Sequence, residues 1–295
     1  MADFVLSCCA TVDLTKAHIE SRGIPFVSPP YYMDGKESRD NLFENMTAAE
    51  FYQAMVDGAE TKTSQPNSEE FFRFFDGILA EGKDILHISL SSGLSGTCQS
   101  ATNAAKKAQE KYPDRKIYVV DSLAASSGYG LLVDTLADMR DAGKSIDEIR
   151  DWAEEHKLEL HHWFFTSDLT FFIKGGRVSK TAGFVGGLLG ICPLLNVSNE
   201  GKLIPREKVR SKKKVTRRIV EKMTENAAGG LEYADKCYMC NSACLDDAKA
   251  VAALVEENFP NLKGKILIND IGPSIGSHTG PGTVALFFWG TKRED

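Results

Sequence analysis

Ser91-Ser92-Gly93-Leu94-Ser95-Gly96-Thr97 lies between an apolar run, Asp84-Ile85-Leu86-His87-Ile88-Ser89-Leu90, and an alanine-rich segment from Cys98 to Lys111. The first flank reads as a buried strand and the second as a helix. A strand, a loop dense in hydroxyls and glycine, then a helix start is a way to build an anion site. The first N–H groups of a helix have no internal partner, and its dipole adds partial positive charge there. Gly93 and Gly96 would let backbone approach a ligand, and the serines can donate hydrogen bonds to it. A serine-capped helix after a glycine turn is the plainer reading of the same residues.

Working outward, strands alternate with helices through the first half. Phe4 to Ser7 reads as a strand, Asp13 to Arg22 as a helix closed by Gly23, and Thr47-Ala48-Ala49-Glu50 as a capping box. A helix from Asn67 carries Phe71, Phe74, Phe75 and Ile78 on one face. Lys116 to Val120 is a strand ending at Asp121-Ser122, followed by helices from about Ser127 to Asp141 and from Ser145. This alternation predicts a parallel, doubly wound α/β sheet, with ligands bound beyond the carboxyl ends of its strands. The second half is less regular. Strands are expected at His162–Thr166, 202–205, 236–241, 265–268 and Thr283–Trp289, and helices over 209–226 and 245–259. No repeat or low-complexity linker marks a boundary, so two α/β domains, 1–157 and 158–295, are set by the change of pattern near Lys157.

At 295 residues the chain is long for one core, which favours two domains. With 35 basic and 41 acidic residues, its net charge of −6 argues against a general nucleic-acid binder. No apolar run approaches membrane-spanning length. Met1 to Leu6 reads as a first strand without the basic start of a signal peptide. The seven cysteines are odd in number and irregularly spaced, which suits free thiols and a cytoplasmic protein.

Two further polar clusters sit just outside apolar runs: Thr61-Lys62-Thr63-Ser64-Gln65-Pro66 and Gly276-Ser277-His278-Thr279-Gly280-Pro281-Gly282-Thr283. Loops at element ends often converge on one cleft. With Thr63-Ser64-Gln65-Pro66 and the Ser91–Thr97 loop go Asp121-Ser122, Gly128-Tyr129-Gly130, Lys174-Gly175-Gly176-Arg177, Lys208-Val209-Arg210 and the 276–282 stretch. In these motifs, and in their order, the chain resembles the DegV family of bacterial fatty-acid-binding proteins.

The resemblance implies two α/β domains with a long-chain fatty acid buried between them, and no cofactor. It also implies that the carboxylate is offered to a separate ATP-using fatty acid kinase, which converts it to an acyl phosphate. Thr63, Ser64, Ser92, Gly93, Ser95, Arg177, His278 and Thr279 are the implied ligand contacts, and Arg177, His278 and Arg210 the implied support for phosphoryl transfer. Two stretches depart from the family's pattern. Cys9-Ala10 stands where an Asp-Ser pair usually begins the first loop, and Ser242-Ala243-Cys244 replaces a His-Ala/Gly-Asp. The apolar stretch Phe171, Phe172, Ile173, Phe184, Val185, Leu188, Leu189 and Ile191 is the expected hydrocarbon lining, with ordinary core as its plainer reading.

Four other signals compete with this reading. Gly93-Leu94-Ser95-Gly96 is close to a hydrolase nucleophile elbow, and His278 with Asp121 would complete a serine esterase triad, though the second glycine comes one position early. Gly128-Tyr129-Gly130 lacks the third glycine of a dinucleotide fingerprint. Cys237, Cys240 and Cys244 suggest zinc, but a strand from Cys237 to Cys240 points the two thiols to opposite faces and no fourth ligand is obvious. Arg206, Lys208, Arg210, Lys212, Lys213, Lys214, Arg217 and Arg218 form a basic segment. It reads as a solvated helix face, or as a dock for an acidic partner or an anionic membrane surface.

Overall fold

Asp84–Ser89 forms the expected strand, and alternate side chains along it enter two different layers. Ile85 packs with Phe71, Phe75, Ala101, Ala104 and Ala108, while Leu86 and Ile88 pack with Val120, Tyr129 and Ile149. The sheet is therefore covered by helices on both faces, as a parallel sheet requires. The computed structural model describes residues 4–179 and 190–294.

In the first half the elements run β1 (Phe4–Cys9), α1 (Lys16–Ser21), β2 (Phe26–Val27), β3 (Pro30–Met33), β4 (Lys36–Arg39), α2 (Ala48–Val56) and β5 (Thr61–Thr63). They continue through α3 (Ser68–Ala80), β6 (Asp84–Ser89), α4 (Thr97–Lys111), β7 (Ile117–Asp121), α5 (Ser126–Asp141) and α6 (Ile146–His156). Four strands form an all-parallel sheet in the order β2-β1-β6-β7, and β4-β3-β5 form a small antiparallel sheet. Asn67 and Ser145 each close a capping box with a glutamate three residues on, so α3 and α6 begin where the sequence predicts.

From there the described chain passes through β8 (Leu160–Phe165), α7 (Thr170–Lys174), β9 (Ile191–Val197), β10 (Leu203–Arg210), α8 (Lys212–Asn226) and β11 (Cys237–Asn241). It ends with α9 (Leu245–Asn258), β12 (Leu267–Asp270), α10 (Pro273–Thr279) and β13 (Val284–Trp289). These strands make one mixed sheet, β10-β9-β8-β13-β11-β12, in which only the β11–β12 pair is parallel. The fold is thus α/β, with its parallel sheet where the serine–glycine loop requires it.

α5 lies between the two sheets, and its glycines show how closely. A Cβ at Gly128 would meet His162 Nε2 at 2.4 Å and Phe287 at 2.5 Å, and one at Gly130 would meet the Val12 carbonyl at 2.6 Å. Gly128-Tyr129-Gly130 is therefore a packing motif inside a buried helix, not a nucleotide loop. Tyr129 donates its hydroxyl to the Ile88 carbonyl and accepts from the Cys9 N–H.

Several boundaries differ from expectation for local reasons. Asp13 is left-handed at φ 46°, so the first α-helix starts only at Lys16, with Thr15 accepting from the His18 N–H. Val209 and Arg210 complete β10, and Ser211 at φ 78° turns the chain before α8 begins. The 276–283 stretch contains the end of α10, so His278 is carried by a helix rather than by a loop.

Candidate functional site

Three loops at the carboxyl ends of strands meet the turn after α7 and the last turn of α10 around one cavity of about 640 Å³. That is within the usual range for a small-molecule site. Thr63, Ser64, Ser92, Ser95, Arg177, His278 and Thr279 all border it. Leu90, Phe164, Phe172, Leu203, Ile275 and Phe287 supply much of its apolar wall.

The serine–glycine loop divides its labour. The Ser91 hydroxyl donates to the Gly201 carbonyl at 2.8 Å and accepts from the Gly93 N–H at 3.1 Å. A Cβ on Gly93 would lie 2.4 Å from the Glu200 carbonyl oxygen. Gly93 is consequently a contact between the loop and the turn before β10, and it does not border the cavity. Ser92 is exposed, and its N–H donates to the Asp121 carboxylate. Ser95 and Thr97 share a hydroxyl contact of 2.8 Å beside the start of α4.

His278 is held from two sides. Its Nε2 meets the Thr63 hydroxyl at 2.7 Å, while its Nδ1 is buried without a partner. A Cβ on Gly175 would lie 2.3 Å from that Nδ1, so the first glycine of Gly175-Gly176-Arg177 is the seat of the imidazole. The second has a different reason: Gly176 is left-handed at φ +73°, with open space around it. Burial first, and then the nearby Arg177, push the His278 pKa down to about 4, so the ring is neutral near pH 7. A buried N–H without an acceptor is rarer than a bare acceptor. Nε2 therefore carries the proton and donates to Thr63, which leaves the threonine hydroxyl free to donate onward. Arg177 is half-buried and donates to the carbonyls of Leu94 and Gly175, which aims its guanidinium at the serine–glycine loop. Burial lowers its pKa, yet an arginine stays cationic.

Other expectations fare differently. Arg210 ends β10, is exposed and does not border the cavity. Of the expected hydrocarbon lining, Phe172 borders the cavity, and Phe171 packs against Gly280 instead. Phe184, Val185, Leu188 and Leu189 lie outside the described residues. Phe164 and Phe287 line the cavity outside that expected stretch; they sit across from one another's neighbours on β8 and β13, and strand alternation is the sequence signal that marks them.

The esterase arrangement is not assembled: Asp121 accepts from the Ser92 and Leu123 N–H groups and does not border the cavity, and His278 Nε2 is engaged by Thr63 rather than by Ser95. Cys237 and Cys240 are buried, and burial pushes both thiols well above their ordinary pKa. Among the described residues no group of three or more His, Cys, Asp or Glu comes together to hold a metal. Among them, too, no helix is long and apolar enough to cross a membrane.

A family model described as "Uncharacterised protein, DegV family" matches residues 10–291. This chain belongs to the DegV family. It is 37% identical over 294 residues to a DegV domain-containing protein of Clostridium perfringens, covering 100% of both chains. A Thermotoga maritima protein named as a fatty acid-binding protein is 33% identical over 284 residues, with 94% of each chain covered. In structure the chain is similar to a DegV family protein of Thermus thermophilus described for its fatty acid binding. That match has a TM-score of 0.84 and 28% identity, and covers 97% of this chain and 99% of that one. The DegV signature residues thus fall into two groups here: some border the cavity, and others, such as Ser91, Gly93 and Gly175, brace the residues that do.

Proposed function

We propose that this DegV protein binds a long-chain fatty acid in the cavity and presents its carboxylate to a separate ATP-dependent kinase for acyl phosphate formation. The observation that carries the reading is that one cavity is bordered both by a cationic and hydroxyl-bearing group and by a broad apolar surface. Arg177, Thr63, Ser92, Ser95 and His278 border the same cavity as an aromatic and aliphatic surface, which suits a ligand with one anionic head and a long apolar tail. Burying a methylene releases about 0.8 kcal/mol, so about fifteen supply on the order of 12 kcal/mol before association costs. An ionised head without partners would cancel that gain. Arg177 offers a charge, and the hydroxyls of Thr63, Ser92 and Ser95 offer donors. The similar proteins of Thermotoga maritima and Thermus thermophilus, described as fatty acid binding, support the same ligand.

Presentation to a kinase is supported by where the head would lie. Ser64, Gln65, Ser92 and Gly96 border the cavity and are exposed, so the carboxylate end faces the surface. Arg177 neutralises charge on the transferring phosphoryl group, and His278, through Thr63, holds the attacking oxygen in line. Arg210 acts from outside the cavity, on the docked partner. With exposed Lys213, Lys214 and Arg217 it also forms a basic face suited to transient contact with an anionic membrane. In this reading residues 1–157 and 158–295 are the two domains that enclose the acid.

Mass spectrometry of an organic extract of the purified protein tests the ligand. Long-chain fatty acid near one equivalent is expected. A Thr63→Ala, Ser95→Ala double variant that binds fatty acid like the parent would remove the head-group assignment.

A further inference from the structure

α10 carries His278 on only seven residues, too few for a helix to hold its own place. Groups from far earlier in the chain seat it. The Gly272 N–H donates to Asp13 Oδ1 at 3.0 Å, and the Ser274 N–H donates to Asp40 Oδ2 at 3.0 Å. Pro273, between them, has no N–H to place. Both carboxyls are buried, and their other oxygens are engaged as well, Asp13 Oδ2 by the Ser126 hydroxyl and Asp40 Oδ1 by the Leu42 N–H. The first N–H groups of a helix have no partner inside it, so these two acids satisfy the start of α10. They converge on Gly272, where a Cβ would lie 2.7 Å from Asp13 Oδ1 and 3.4 Å from Asp40 Oδ2.

The seat also decides which way the helix faces. Ser274 and His278, four residues apart, share a face with Ile275 and Thr279, and all four border the cavity. Gly276 lies flush against α2, since a Cβ there would meet Tyr52 Oη at 2.5 Å and Phe51 at 3.0 Å. The same tyrosine donates to the Ile271 carbonyl at 2.7 Å, just before the helix. α10 is thus held at its start by Asp13, Asp40 and Tyr52, and at its last turn by the contact of His278 with Thr63. Only about 6 Å of helix separates Ser274 from His278, so a rotation at the first anchor is carried directly to the imidazole.

We infer that Asp13 and Asp40 are positioning residues for the head-group clamp: they hold the start of α10 at the rotation that brings His278 to the Thr63 hydroxyl. This rests on the fatty-acid reading above and adds two residues that do not border the cavity. They act through the helix and its histidine, not on the ligand.

The test is a double-variant cycle with two readouts. Affinity is measured by displacing a fluorescent fatty acid with octadecanoic acid, and the His278 ring is followed by nitrogen NMR of histidine-labelled protein without ligand. Asp40→Ala should weaken binding about 3- to 10-fold in the parent, but less than about twofold in a His278→Ala background. In the ligand-free protein the same substitution should replace the single Nε2-protonated signature of His278 with a mixture of tautomers. Gly272→Ala, at φ −67° and ψ 165° a backbone that suits alanine, crowds both carboxyls and should repeat both effects. It decides alone if Asp40→Ala does not fold. Equal weakening in both backgrounds, or His278 signals that do not move, overturns the inference and leaves fatty-acid binding intact. Failure of octadecanoic acid to displace the probe from the parent removes the fatty-acid reading, and the ring signals then decide the positioning role.

Discussion

Gly175→Ala should disable the head-group clamp without touching any residue that bonds the ligand. Its backbone, at φ −75° and ψ −10°, suits alanine, so the substitution adds no strain of its own. The new methyl would lie 2.3 Å from His278 Nδ1 and 3.2 Å from the Phe171 carbonyl, too close for the ring to stay. Driving the imidazole off its rotamer costs about 0.5–1.5 kcal/mol. Losing the 2.7 Å contact with Thr63 costs a similar amount. Stability should fall by about 1–3 kcal/mol in chemical denaturation. Affinity should fall further than that strain alone implies, because Thr63 loses the donor that orients its hydroxyl toward the carboxylate. A hydrogen bond to a charged group contributes about 1.5–3 kcal/mol, so fatty-acid Kd should rise roughly 10- to 150-fold. Two variants supply the controls. Gly176→Ala, in a left-handed position with nothing nearby, should cost about 1–2 kcal/mol of stability and leave Kd within about twofold. In a His278→Ala background, Gly175→Ala should add little, since the atom it strikes is gone. Additive losses in that double variant would refute the seat, as would parent-like affinity for Gly175→Ala when His278→Ala binds weakly.

Gly93→Ala should cost about 1–3 kcal/mol in denaturant unfolding, since the new Cβ would strike the backbone carbonyls of Glu200 and Gly201; a parent-like midpoint would sink that contact. His278, at a pKa of about 4, is neutral in the fold but protonates near pH 6.5 once unfolded. The unfolded chain binds the extra proton between these values, so this contribution is complete above about pH 6.5 and is lost as pH falls toward 4. The slope is about 1.4 kcal/mol per pH unit. Asp13 and Asp40, raised by burial, work in the opposite direction, so the readout is the difference between parent and His278→Gln; identical pH profiles would contradict the assignment. With a cognate kinase, Arg177→Ala and His278→Ala should reduce acyl phosphate formation more than fatty-acid affinity. Equal fractional losses in both assays would make them ordinary ligand contacts.

The parallel sheet was legible because β1, β6 and β7 are short apolar runs, and because Asn67 and Ser145 announce their helices with glutamates three residues on. The small β4-β3-β5 sheet was not. Its strands are only three or four residues long and carry no apolar alternation, so tertiary contact rather than pattern creates them. The site was legible as three hydroxyl-rich loops and a Gly-Gly-Arg motif. What each glycine does was not, because Gly93 is explained by Glu200, Gly128 by His162 and Phe287, and Gly175 by His278, all far along the chain. A close approach across the fold leaves no local trace in sequence.

Those distant approaches share a direction. Ser91 and Gly93, from the loop after β6, close on the Glu200–Gly201 turn; Thr63, from the end of β5, closes on His278; and Leu94 accepts from Arg177. Each contact joins a group from before residue 157 to one from after it, and each sits within a few residues of a side chain bordering the cavity. The proposed head-group clamp is therefore built from both halves of the chain. Thr63 and Arg177, proposed to hold a carboxylate, thus also bond across the two halves. Loosening either bond should raise the rate at which the acid leaves, even where it leaves the bound geometry intact. A ligand that bridges Thr63 and Arg177 adds to the closure, so bound fatty acid should raise the unfolding temperature of the whole chain and not of one half.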